Sequence, residues 1–160
     1  MSKLDDARSA SSQQYVHRVE ALLRDAESWC RSQGLQTDAF TATLREEGVE
    51  AFQAPGLDIS KDGLSLAQLV PVGSRVIAAD GRVDLVGQLA SHSFLFYVGL
   101  GPEFKSATIV DGQTIHASRR MLRGLDGDGW YWIESNVRKA KRVDESLFID
   151  LFTDVSDYEF

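Results

Sequence analysis

Apolar residues first recur at helical spacing. Tyr15, Val16, Val19, Leu22, Leu23, Ala26, Trp29 and Cys30 fall on one stripe, as the 3.6-residue period of an amphipathic helix requires. Ser11-Ser-Gln-Gln14 ahead of the stripe has the spacing of a capping box, which places the start at Ser11 or Ser12, and Gly34 supplies the stop. His17 and the charged residues Arg18, Glu20, Arg24, Asp25, Glu27 and Arg31 fill the rest of the circumference. Residues 1–10 are polar and uncapped, which predicts a frayed end.

Beyond Gly34 the period changes to two. Phe40, Ala42 and Leu44 alternate with Thr41, Thr43 and Arg45, the pattern of a half-buried strand. Glu46-Glu47-Gly48 turns the chain, and Val49 to Gln53 pairs back until Pro55-Gly56 interrupts it. Asp-Gly then occurs between apolar runs at Asp62-Gly63, Asp80-Gly81 and Asp111-Gly112, and Asp-Gly readily supplies the two positive-φ residues of a type I′ hairpin turn. Counting outward from each turn gives a register. Ile59 faces Leu66, Ile109 faces Thr114 and Ala107 faces His116. The central turn at Asp80-Gly81 sets Ala79 against Arg82, Ala78 against Val83 and Val76 against Leu85, with Val76, Ala78, Val83 and Leu85 on one face. Leu69-Val-Pro-Val-Gly73 reads as an edge, bulge or corner, because Pro71 has no N–H to donate.

Phe94 to Val98 is apolar on both faces and reads as a central strand, covered by the first helix on one side and by the sheet's own curl on the other. Trp130-Tyr-Trp-Ile-Glu134 and the basic stretch Lys139 to Val143 are further strands. Asp144 is then an N-cap for a last helix with Leu147, Phe148, Leu151, Phe152 and Val155 on one stripe. Tight connections favour antiparallel neighbours. The expected fold is therefore a single α+β domain: an N-terminal amphipathic helix packed on a strongly bent antiparallel sheet or partial barrel of about nine short strands, with a short C-terminal helix.

Composition narrows the class more than the fold. With 43% apolar and 26% charged residues the chain is globular rather than disordered. No apolar run approaches the roughly 20 residues of a membrane helix. Residues 1–8 carry no apolar core of a secretory signal, and Cys30, the single cysteine, has no intramolecular partner, so the cytoplasm is the expected location. A net charge of −7 repels phosphate backbones and anionic lipid at long range. Charge is unevenly spread. His116 to Arg142 holds Arg119, Arg120, Arg123, Arg138, Lys139, Lys141 and Arg142 against Asp126, Asp128 and Glu134, whereas Val143 to Phe160 holds six acids and no base. Acidic tail and basic stretch either neutralise one another in the fold or mark a charge-guided partner surface.

No stretch assembles a reactive centre. Leu125-Asp-Gly-Asp-Gly-Trp130 begins like a calcium loop, but the positions that need an oxygen ligand and a bidentate Glu hold Trp130 and Val137, so it reads as a turn. Asp80 and Asp84 are roughly 13 Å apart by strand rise, too far to shift one another's pKa as a carboxylate pair. Gly99-Leu-Gly101-Pro102 lacks the Lys-Ser/Thr of a phosphate loop, no Gly-x-Ser-x-Gly elbow is present, and neither a cofactor nor a metal is implied. His92 and His116 lie in separate segments. Only convergence with an acid in the fold would support a hydrolase.

The expected function is thus a non-catalytic cytoplasmic module that binds another protein, of inhibitor, immunity or chaperone type. Asp150, Asp154, Asp157 and Glu159 would meet a basic toxin or effector by charge complementarity. Arg119, Arg120 and Arg123 with Trp130 and Trp132 form a second candidate contact set, since Arg and large aromatics are enriched at binding hot spots. Trp130/Trp132 and Tyr131/Ile133 alternate in face, so the stretch is core if both faces are buried and a recognition patch if one is exposed beside the arginines. The alternative is a small-ligand or nucleic-acid module that uses this same arginine and tryptophan region.

Overall fold

The structure, a computed structural model, describes residues 3–160, without the side chains of residues 4–9. It is an α+β fold in the order α1 (Lys3–Ser32), β1 (Gln36–Leu44), β2 (Phe52–Lys61), β3 (Leu64–Gly73), β4 (Arg82–Gly87), β5 (Ser91–Tyr97), β6 (Glu103–Val110), β7 (Gln113–Arg120), β8 (Gly129–Glu134), β9 (Lys139–Arg142) and α2 (Glu145–Ser156). Seven strands form one sheet in the order β1-β2-β3-β4-β5-β8-β9, and β6-β7 stand apart as a two-stranded ribbon inserted between β5 and β8. All strand pairs are antiparallel. The main sheet is open, with β1 and β9 at its edges, so it is not a barrel.

Both helices cover one face. Tyr15, Val19, Leu22, Leu23, Ala26 and Cys30 of α1 join Phe148, Leu151, Phe152 and Val155 of α2 over Leu57, Ile59, Leu69, Val83, Leu85, Phe94 and Phe96. Each large side chain so buried contributes about 1.5–3 kcal/mol relative to exposure. The opposite face carries a smaller cluster, in which Tyr97, Tyr131 and Ala140 are covered by Leu125 and Leu122 from the crossing segment ahead of β8. That segment, rather than the sheet's own curl, completes the burial of β5. α2 starts at Asp144, whose carboxylate accepts from Leu147 N–H at 2.8 Å.

Several expectations from the sequence need correction. α1 begins at Lys3, well before Ser11, and Ser12 lies buried within it; the expected fraying of residues 1–10 falls partly outside the described residues. β2 runs unbroken through Pro55-Gly56, because Gly56 pairs with Phe40 and leaves room for the Phe40 ring to lie over it. A bulge between Ile59 and Ser60 sets Ile59 opposite Ala67, not Leu66.

The largest correction concerns Asp80-Gly81, which is not a hairpin turn. β3 and β4 pair Leu69 with Leu85 and Pro71 with Val83, and Ser74 to Gly81 forms the loop between them, with Ala78 at φ 64°. Gly81 packs closely, since a Cβ there would lie 3.0 Å from the Tyr15 ring. Its carbonyl accepts from Phe96 N–H while Asp80 N–H donates to the Phe96 carbonyl, so both residues extend the ladder to β5. Pro71 does sit at a bulge, though it is buried rather than at an edge.

Candidate binding surface

The ribbon is built by its own turn. Asp111 (φ 50°) and Gly112 (φ 75°) have the paired positive φ of a type I′ turn, and the register follows as Val110 to Gln113, Ile109 to Thr114 and Ala107 to His116. Met121 N–H donates to the Pro102 carbonyl at 3.0 Å and closes its base. Every residue of β6 and β7 is exposed, including Phe104, Ile109, Val110 and Ile115, of which Ile109 is 76% exposed. Neither apolar cluster includes a ribbon residue.

At the ribbon's base the chain gathers its arginines. Arg119, Arg120, Arg123 and Arg138 line one groove of about 670 Å³ with Phe104, Met121 and Val137. Backbone pairing holds two of them side by side: Arg123 N–H donates to the Arg138 carbonyl at 3.2 Å and Ala140 N–H to the Arg123 carbonyl at 2.7 Å. Gly124 permits this approach, with φ +89° and no room for a Cβ against the Ala140 carbonyl. Arg123 Nη2 also donates to the Val137 carbonyl at 2.9 Å. Among the described residues no carboxylate closes an ion pair on Arg119, Arg120, Arg123 or Arg138. Nor does any ion pair join the tail acids to the basic stretch; Lys141 pairs with Glu134 and Arg142 with Asp126 instead.

The tryptophans are elsewhere. Trp130 and Trp132 pair with Phe96 and Phe94 and face the helices, whereas the segment carrying Arg123 crosses the other face. Trp130 is 8% exposed and donates its Nε1–H to the Arg18 carbonyl at 3.0 Å. Trp132 is half-buried beneath Lys141, whose Nζ lies 5.8 Å from the ring. The fold therefore does not bring the arginines and tryptophans into one patch.

The acidic candidates lie on and after α2, all exposed. Asp154 Oδ2 is 2.6 Å from His92 Nε2. Asp157 is the left-handed C-cap at φ 58°, and its N–H donates to the Thr153 carbonyl. Asp150 lines a shallow groove with Gln33, Asp144, Glu145, Ser146 and Ile149. Glu159 lies beyond the helix between Tyr158 and Phe160, whose rings meet Phe152 edge-on and tilted, respectively.

His92 and Asp154 thus meet, a contact that no sequence spacing announces. His116 stays on the ribbon opposite Ala107. The second ring nitrogen of His92 is also engaged, since Trp132 Nε1–H donates to Nδ1 at 3.2 Å. With Nδ1 accepting and Nε2–H facing the carboxylate, neither nitrogen is free to take a substrate proton. Cys30 is buried on the inner face of α1, and desolvation, helped by the Glu27 charge, pushes its thiol up to about 12. In the Asp-Gly-Asp-Gly segment Asp126 accepts from Tyr131 and Arg142, and Asp128 accepts from Gly99 N–H at 2.7 Å. Among the described residues no group of three His, Cys, Asp or Glu side chains is placed to hold a metal. A further groove of about 360 Å³, between α1 and the start of β2, is lined by Ser12, Val16, His17, Glu50 and Phe52. No helix among the described residues is long and apolar enough to cross a membrane. Comparison with protein-family models, curated proteins and solved structures finds no match to this chain.

Proposed function

We propose that this chain is a non-catalytic protein-binding module that meets its partner through the β6–β7 ribbon and the arginine groove at its base. The observation that carries this reading is the ribbon itself: two paired strands with every residue in solvent, four large apolar side chains among them, and no part in either core. A two-stranded hairpin gains little stability on its own in water. Its unpaired edges are templates for an added strand, and its apolar side chains gain from being covered. The committed nitrogens of His92 and the buried thiol of Cys30 also favour a surface role over a reactive centre.

A second reading rests on the acidic face, where Glu145, Asp150, Asp157 and Glu159 close no ion pair among the described residues and would suit a basic toxin or effector. The two are separated by replacing Glu103–Arg120 with a short Gly-Ser linker and, in a separate protein, reversing Asp150 and Asp157 to Lys. Each is compared with the parent for thermal melting and for binding to the purified partner identified in the host. The ribbon reading expects unchanged melting and lost binding for the linker protein only. Binding that survives ribbon removal and fails on charge reversal moves the interface to α2.

A further inference from the structure

We infer that the groove at the ribbon's base receives a short acidic segment of the partner protein, with carboxylates on the arginines and an apolar side chain against Phe104 and Val137. This rests on the protein-binding reading and names the chemistry of what is bound. Arg119, Arg120, Arg123 and Arg138 line the groove, and no carboxylate is among the residues that line it. Glu103 stands directly across the ladder from Arg120, yet no ion pair forms between them. Four arginines that line one groove, Arg119 and Arg120 from opposite faces of β7, make it positive, and an anion there would offset that charge. A planar guanidinium engages a carboxylate with two parallel hydrogen bonds.

Local geometry holds Arg123 beside Arg138. Arg123 is tied through its backbone to Arg138 and Ala140 and through one guanidinium nitrogen to the Val137 carbonyl, which leaves its other donors open. Arg138 occupies the left-handed region at φ 50°, a position that glycine or asparagine adopts with less strain. The turn thus carries a cation at a backbone cost. Phe104 (46% exposed) and Val137 (44% exposed) give the groove apolar surface beside the charge. Peptide is favoured over nucleic acid because the chain's net charge of −7 repels a long polyanion, while a short segment meets the groove within a screening length of about 8 Å.

The test uses the full chain and two fluorescent probes in anisotropy titrations: a peptide of acidic residues around a central Leu-Phe pair, and an oligothymidine of equal charge. The peptide is expected to bind saturably, with affinity that falls from low to physiological salt. Arg119→Glu or Arg120→Glu should weaken it by about tenfold or more, and Arg24→Glu on α1 should leave it unchanged. Arg138→Gly separates a binding role from a structural one: it should weaken the peptide several-fold while the melting temperature holds or rises. No saturable peptide binding, or binding indifferent to these arginines, overturns the inference. A partner that still needs the ribbon would then leave the protein-binding reading standing. Tighter binding of oligothymidine through the same arginines overturns both.

Discussion

The Tyr15 hydroxyl donates to the Arg82 carbonyl at 2.7 Å and accepts from Val72 N–H at 3.1 Å. One phenol on α1 therefore satisfies backbone groups on both sides of the β3–β4 loop. Its ring also covers Gly81 and meets Phe52 edge-on at 6.4 Å. Tyr15→Phe keeps the ring and strips both hydrogen bonds, leaving the two backbone groups without this partner. The expected cost is about 1–3 kcal/mol in urea unfolding. A loss of a few tenths would mean that solvent replaces the phenol at both sites.

His92 lies between Trp132 and Asp154, and this arrangement fixes its tautomer. In the neutral ring the proton sits on Nε2, because Nδ1 accepts from the indole. Long-range nitrogen–proton correlation spectra should show the Nε2–H form, and Trp132→Phe should release Nδ1 and alter the nitrogen shifts. A Nδ1–H ring in the parent protein would contradict the geometry and restore His92 as a candidate base.

Asp126 makes a pH-dependent contribution to stability. The Tyr131 hydroxyl and the Arg142 guanidinium donate to its carboxylate and hold it below the ordinary carboxylate range. A lowered folded value means the stabilisation is fully present above the ordinary carboxylate range and is lost as pH falls through the folded value. Melting temperature against pH should therefore show the parent above Asp126→Asn at neutral pH, with the two curves converging in acid. A constant gap across that range would assign the difference to something other than ionisation.

Local chemistry made much of the fold legible. Asp62-Gly63 and Asp111-Gly112 are turns with paired positive φ, and Asp144 caps α2, because each signal is satisfied within a few residues. Asp80-Gly81 carries the same dipeptide and behaves differently. There Gly81 packs on the Tyr15 ring, distant in sequence, Asp80 and Gly81 pair with Phe96, and Leu69 and Pro71 compete as partners for Leu85 and Val83 with an apolar alternation as good as that of Val76 and Ala78. Arg119, Arg120 and Arg123 were visible as a basic run. Their meeting with Arg138 depends on the crossing segment pairing beside β9, which no pattern of period two or 3.6 encodes. Period two puts Trp130 and Trp132 on one shared face, and the strand pairing turns that face toward the helices.

The most direct measurement places a photo-reactive residue at Ile115 on the ribbon, and separately at Asp150 on α2, in the chain expressed in its host. Irradiation is expected to attach Ile115-substituted chain to one protein species, and Arg119→Glu in the same chain should sharply reduce the yield. Attachment from Asp150 alone, or from Ile115 to nucleic acid instead of protein, would contradict a ribbon-and-groove interface.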